Sequence, residues 1–211
     1  MSSGTPGRKS GQVRRKAGAT PQQADKRRYI IKHAAELFSR VGYSAATMDD
    51  LSDRTGLNKG TLYYYYAAKS DILYEIVRAT HEASHACLDA VAGASSPAVA
   101  LSSFIDGMVD WISQNKEHAI ILSKEQDYFE DTLPEDKIES ARSGHRAYMR
   151  KLYGVIQAGV DSGVFKNCDV RVVGRAISTM LFNSASWRLS TMGPAAISTQ
   201  IKQLLMDGLK T

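Results

Sequence analysis

The run 55-TGLNKGTLYYYYAAKSD-71 places a glycine, a threonine, four consecutive tyrosines and two lysines in one short segment. Four adjacent aromatic residues match neither one face of an amphipathic helix nor the alternation of a strand. They do suit a surface that meets phosphate. Asn58 is a favoured N-cap, so a helix starts there, and its first amides, at Lys59, Gly60 and Thr61, would form an anion site. Gly60 removes a side chain where the ligand comes closest. Thr61 can donate to a phosphate or touch a thymine methyl, while Leu62 packs inward. Tyr63, Tyr64 and Tyr65 fan around the helix and carry hydroxyls toward the groove walls with fewer rotatable bonds than lysine. Tyr66 closes a small core, and Lys69 sits where a backbone phosphate would pass.

Two further groups suggest other chemistry. The segment 81-HEASH-85 matches the H-E-x-x-H pattern in which His81 and His85 share a zinc ion and Glu82 acts as general base. The pattern fixes only three positions, no third ligand follows, and the plainer reading is solvated or packed histidines. No metal, cofactor or catalytic role is therefore expected, and a zinc hydrolase is the remote alternative. Toward the C-terminus, Trp111, Asn115, Gln126, Tyr128, His145, Tyr148, Asn183, Trp187 and Arg188 fall on or beside apolar stripes. Singly, each reads as core packing. Together they describe an apolar cavity with a few polar fixing points, with Trp111, Gln126, His145, Tyr148, Asn183, Trp187 and Arg188 as the candidate ligand contacts.

The elements that must position these groups are all helical. Ile30, Ala34, Leu37, Phe38 and Val41 recur at helical spacing before Gly42. The stretch 47-TMDD-50 is a capping box that starts a second helix, ending near Thr55-Gly56. A third runs through the tyrosines, and a fourth from Ser70-Asp71 to about Val91. Helix, tight turn and helix, over about residues 47–66, is the spacing of a helix-turn-helix whose second helix enters the DNA major groove. After 93-GASSP-97, helices are expected near 97–114, 116–130, 134–162, 169–190 and 195–210. The fold class is thus all-α with about nine helices, in three parts: a disordered basic arm (1–25), a DNA-binding domain (26–86) and a second domain (87–211). Helix 169–190 is apolar on two stripes, Val172/Ala176/Met180/Trp187 and Val173/Ile177/Leu181/Ser184, which predicts either a second subunit on one of them or a central place in a monomeric bundle. Ile197, Ile201, Leu204, Leu205 and Leu209 of the last helix supply the neighbouring half.

Charge agrees with a nucleic-acid partner. Residues 1–28 hold eight basic side chains against Asp25 alone, whereas the remaining 183 residues carry a net −2. Basic character is therefore local, and a Gly/Ser/Lys/Arg-rich arm either contacts phosphates or simply solubilises the chain. No apolar run reaches the ~18 residues that span a bilayer, and the N-terminus lacks a signal-peptide core, so a cytoplasmic protein without a membrane partner is expected. Cys87 and Cys168 lack metal or redox spacing and read as reduced packing residues.

The segment 29-YIIKHAAELFSRVGYSAATMDDLSDRTGLNKGTLYYYYAAKSDIL-73 resembles the N-terminal domain of the TetR-type transcriptional regulators. The resemblance rests on Ala35, Leu37, Phe38, Gly42, Tyr43, Thr47, Leu51, Gly56, Gly60, Thr61, Leu62, Tyr63, Lys69 and Leu73. Tyr66 stands where the family usually has Phe, and Tyr65 where His is frequent. The resemblance implies a ligand-released repressor that binds a palindromic double-stranded operator as a homodimer. It implies that Thr47, Lys59, Gly60, Thr61, Tyr63, Tyr64, Tyr65 and Lys69 face the DNA, and that the last two helices pair across a two-fold axis. Less specifically, 118-HAIILSKEQDYF-129, 148-YMRKLYGVIQAGVDSGVF-165 and 183-NSASWRLST-191 are similar to TetR-type repressors of fatty-acid and sterol catabolism. That likeness implies an acyl-CoA effector, with Arg142, Arg146, Arg150 and Lys151 near its phosphates. Another hydrophobic molecule, including a drug, is the alternative effector.

Overall fold

The computed structural model describes residues 20–125, 132–187 and 192–209. Among them are nine α-helices and no strand, as the sequence predicts. The N-terminal unit contains α1 (Pro21–Val41), α2 (Met48–Thr55) and α3 (Lys59–Tyr65). Then α4 (Lys69–Ala90) leads to α5 (Pro97–Gln114), α6 (Lys116–Glu125), α7 (Glu135–Asp161), α8 (Val170–Ser184) and α9 (Pro194–Leu209).

Helix α1 begins earlier than the basic arm assigned to residues 1–25 allows. Thr20 accepts from the Gln23 amide at 3.3 Å, Gln23 returns a bond to the Thr20 amide at 2.9 Å, and Pro21 takes the first helical position. Such a cap contributes about 1 kcal/mol, enough to fix the start of a marginal first turn. Lys26, Arg27 and Arg28 are therefore helical residues. The basic residues of 1–19 lie outside the described residues.

The 169–190 helix is shorter than expected, ending at Ser184. Ser184 and Ser186 turn their hydroxyls back to the carbonyls of Leu181 and Asn183 at 2.6 and 2.7 Å. Local bonds of this kind compete with continuing the helix. Trp187 thus falls past its end, and the stripe drawn through it is broken. Within α8 the two faces differ in burial. Ile177 and Leu181 are fully buried, while Val172 stays 64% exposed.

Two apolar cores form, and they are not separated at residue 86. Ile30, Leu37, Phe38, Leu51, Leu62 and Tyr66 fill the N-terminal core, yet Ile121 of α6, Leu133 just before α7, and Ile138 of α7 pack into it as well. The second core gathers around Leu101, Phe104, Met108, Leu152 and Ile177. Helix α4 runs unbroken past both. The first unit therefore rests on the second through buried side chains of α6 and α7.

Candidate DNA-reading helix and ligand cavity

The helix-turn-helix is set by local caps. Thr47 closes the box predicted for α2: the Asp50 amide donates to its hydroxyl at 3.1 Å, and its own amide donates to the Asp50 carboxylate at 2.8 Å. Its hydroxyl also donates to that carboxylate at 2.7 Å, which holds the Asp50 pKa below the usual range. Gly56 ends α2 at φ +66°, a left-handed conformation that favours glycine. Ser52 ties the turn by donating to the Leu57 carbonyl at 2.6 Å.

In α3, the Asn58 side chain accepts from the Thr61 amide at 2.8 Å and from its hydroxyl at 3.0 Å. Thr61 is thus held in place, and its amide is not offered to an anion as the sequence suggested. Lys59 reaches across the turn to Asp49 at 2.5 Å. Gly60 is exposed, and a Cβ there would meet only Asn58 Oδ1 at 3.4 Å. Nothing inside the protein thus demands a glycine at a position where it costs roughly 1 kcal/mol of helix stability.

The tyrosines divide as their spacing predicts. Leu62 and Tyr66 are buried, while Tyr63 and Tyr64 are 49% and 70% exposed. Tyr65 is half-buried and meets the Tyr64 ring edge-on at 5.1 Å. Sequence reasoning missed the partners that α1 supplies. Gln23 donates to the Tyr64 hydroxyl at 3.3 Å, and the Arg27 guanidinium lies 5.0 Å from the Tyr66 ring centre and 5.9 Å from that of Tyr65. The start signal 20-TPQQ-23, a Thr cap with Pro next and Gln three residues on, was readable and would have placed them.

Lys69 is placed differently from the expected phosphate contact. Its ammonium donates to the carbonyls of Tyr43 and Ala46 at 2.7 and 2.6 Å, with that of Ser44 at 3.5 Å, and stands 4.2 Å from the Tyr43 ring centre. Burial lowers its pKa, with Asp50 pulling the other way. An ammonium has three protons to give, and here three carbonyls of the α1–α2 loop surround it.

A cavity of about 520 Å³ lies between α4, α6, α7 and α8. Val77, Ile138, Met149 and Phe182 give it apolar wall, and Arg142, Arg146 and Arg175 add charge. Of the expected ligand residues, His145, Tyr148 and Asn183 line it. Trp111 does not; it packs at the edge of the second core with its ring 6.1 Å from His118. Trp187 is also apart from it, 39% exposed beyond α8. Gln126 and Arg188 lie outside the described residues, as does Tyr128. Within the basic segment, Arg142 and Arg146 line the cavity, Arg150 does not, and Lys151 faces another groove and pairs with Asp89 at 2.5 Å. Arg175, Ser178 and Thr179 were missed. Stepping back along α8 from Asn183 in fours reaches Thr179 and Arg175, and Ser178 lies one turn on from Arg175.

His81 and His85 bracket Gly144 of α7. His85 Nε2 lies 3.2 Å from the Gly144 carbonyl, and a Cβ on Gly144 would come within 3.1 Å of His81 Nδ1. Glu82 is exposed and pairs instead with Arg78. Burial, with His145 and His85 nearby, lowers the His81 pKa to about 4, so its imidazole is neutral. Among the described residues no group of three His, Cys, Asp or Glu could hold a metal, and none of their helices is long and apolar enough to cross a membrane.

A capped helix-turn-helix with an exposed phenolic second helix, joined by one long helix to a cavity-bearing bundle, defines a DNA-binding regulator with a sensory domain. The chain belongs to the TetR family: residues 30–76 match the bacterial regulatory proteins of the tetR family, and residues 94–209 match the tetracyclin repressor-like C-terminal domain. It is a sequence-specific transcriptional regulator. It is 25% identical over 171 residues to the HTH-type transcriptional repressor KstR2 of Mycolicibacterium smegmatis, spanning 80% of this chain and 82% of that one. The structure of the ketosteroid transcriptional regulator KstR2 of Mycobacterium tuberculosis matches with a TM-score of 0.78 at 20% identity, covering 93% of this chain and 100% of that chain. AibR in complex with isovaleryl coenzyme A and operator DNA matches with a TM-score of 0.75 at 17% identity, covering 86% and 98%. Both structural likenesses establish the shared fold.

Proposed function

We propose that this protein is a homodimeric repressor of a palindromic operator, released when an acyl-CoA thioester enters the cavity between α4 and α8. The observation that carries this reading is the pairing of an apolar cavity of about 520 Å³ with three arginines, Arg142, Arg146 and Arg175, in its lining. An acyl chain gains by leaving water at ~25 cal/mol per Å² of apolar area. Coenzyme A phosphates then meet guanidinium groups, which bind them in a planar, directional way. Arg146 is already paired with Glu139 at 2.5 Å, so a phosphate there would exchange one anionic partner for another. The bound AibR relative supports this chemistry by analogy, and a cationic drug is disfavoured by the same three charges.

Dimerisation is supported by apolar side chains left in water on the last two helices. Val172 of α8 is 64% exposed and Leu204 of α9 is 65% exposed. Neither residue has a reason to be apolar in a monomer, and a second copy related by two-fold symmetry covers both. Thr47, Lys59, Gly60, Thr61, Tyr63, Tyr64 and Tyr65 form the DNA-facing surface. Lys69 acts behind it by fixing the loop before α2. His81 and His85 serve packing between α4 and α7, and we read no catalytic site. The reading confines the protein to the cytoplasm, where its operator is.

The test is displacement of an operator fragment, selected from random DNA by the purified protein, by a panel of acyl-CoA thioesters, the matching free acids and cationic drugs. Medium-chain and long-chain thioesters should release DNA at concentrations roughly 10- to 100-fold below the acids, given ~1.5–3 kcal/mol per charge-assisted contact. Arg146→Glu with Arg175→Glu should lose the response while keeping operator affinity. Release by the acids or drugs alone would overturn the acyl-CoA reading.

A further inference from the structure

The capping box that starts α1 reaches a residue 41 positions further along the chain. Gln23 Oε1 accepts from the Thr20 amide at 2.9 Å, and Gln23 Nε2 lies 3.3 Å from the Tyr64 hydroxyl on α3. A backbone amide can only donate, so the side-chain atom that faces Thr20 is the oxygen and the atom that faces Tyr64 is the nitrogen. That nitrogen has only protons to give. The Tyr64 oxygen is therefore the acceptor in this bond, and the phenol's own hydrogen is not spent on it. A phenol hydrogen lies in the ring plane, on one side of its oxygen or the other. With the Gln23 amide on one side it takes the other, away from α1.

Stability explains little of this arrangement. Tyr64 is 70% exposed, and water would serve both the amide and the phenol at such a site. What the bond supplies is direction. The ring is held as well: Tyr65 meets it edge-on at 5.1 Å and 87°, and the Arg27 guanidinium, one turn along α1 from Gln23, stands 5.9 Å from the Tyr65 ring centre. An exposed phenol with a fixed ring and a fixed hydrogen has less freedom to lose when it docks.

We infer that Gln23 is a positioning residue for DNA binding: by donating to the Tyr64 oxygen it makes Tyr64 a donor toward an acceptor on the DNA, a phosphate oxygen or a base edge. This rests on α3 being the DNA-reading helix, as proposed above, and makes the first turn of α1 part of that surface without its touching DNA.

The test is a double-substitution cycle on the full-length protein, read by fluorescence titration of an operator selected from random DNA. Tyr64→Phe should weaken binding about fivefold per subunit, the worth of one hydrogen bond. Gln23→Met, which cannot donate, should weaken it roughly two- to threefold per subunit. Gln23→Glu should weaken it further, because a carboxylate draws the phenol hydrogen toward α1 and repels phosphates. It still accepts from the Thr20 amide, so its melting midpoint should match the wild type. In a Tyr64→Phe background Gln23→Met should have no effect, and Gln23→Glu only that of its charge. Selection repeated with Tyr64→Phe identifies the acceptor. A motif relaxed at one position means a base edge, and an unchanged motif with uniformly weaker binding means a phosphate. Full-strength binding by Tyr64→Phe, or Gln23 penalties equally large in the Tyr64→Phe background, overturns the inference. Tyr63→Ala separates it from the reading it rests on. If Tyr63→Ala weakens binding and Tyr64→Phe does not, α3 still docks and Gln23 has no part in it. If neither matters, docking by this face of α3 fails as well.

Discussion

Replacing Lys69 with methionine separates two roles that a lysine near DNA can have. The side chain keeps its length and loses its charge. In the structure it leaves the carbonyls of Tyr43 and Ala46 without the donor now 2.7 and 2.6 Å away, in residues that are 6% and 1% exposed. Each bond from a charged donor is worth about 1.5–3 kcal/mol, and contact with the Tyr43 ring adds roughly 0.5–1. Lys69 is partly exposed, which favours the low end, so the loss is about 3 kcal/mol. For a chain of this length that lowers the melting midpoint by roughly 6–12 °C. The second readout is the salt dependence of operator binding. A phosphate contact by Lys69 in each subunit would contribute about 2 to the log–log slope. The internal clamp contributes nothing. Thermal melts and binding titrations at several salt concentrations decide it: an unmoved midpoint with a slope reduced by about 2 would refute the clamp.

Two more outcomes are expected. Tyr63→Ala should weaken operator binding by about 1–3 kcal/mol with an unchanged melting curve, because this ring is half-exposed on α3; unaltered affinity in a fluorescence titration would show that α3 docks by another face. Val172→Glu with Leu204→Glu should give folded monomers that bind a half-site and lose tight binding to the palindrome, since both side chains stand in water in the single chain; light scattering that still reports dimers would place the interface elsewhere.

The helix-turn-helix was legible because its determinants are local. Thr47 caps with Asp50, Asn58 caps with Thr61, and Gly56 makes the turn, each within a few residues of its partner. Tyr66 was legible for the same reason, as the one tyrosine on the buried side of a short helix. The internal partners of Lys69 were not legible because they lie 23 to 26 residues upstream, in a loop whose path no periodicity reveals. The cavity was half legible. His145, Tyr148 and Asn183 stood out as polar residues beside apolar stripes, whereas Arg175 looked like any solvated charge until α8 was packed against α7. Trp111 and Trp187 were chosen, like the others, for falling on or beside apolar stripes, but what decides a lining position is the direction of the side chain between four helices. The early start of α1 was missed by giving net charge more weight than the cap.

The burial of Ile121, Leu133 and Ile138 in the N-terminal core has a consequence for anyone who would transplant this DNA-reading head onto a different sensor. The natural seam, near the middle of α4, cuts through no loop and leaves behind three side chains that the head needs. A chimera joined there would present an open apolar socket to whatever α6 and α7 the new sensor brought. Portability is thus governed by the recipient's side chains at those three places. Exchange should succeed between sensors that supply branched aliphatic groups there and fail, by aggregation of the head, between those that do not.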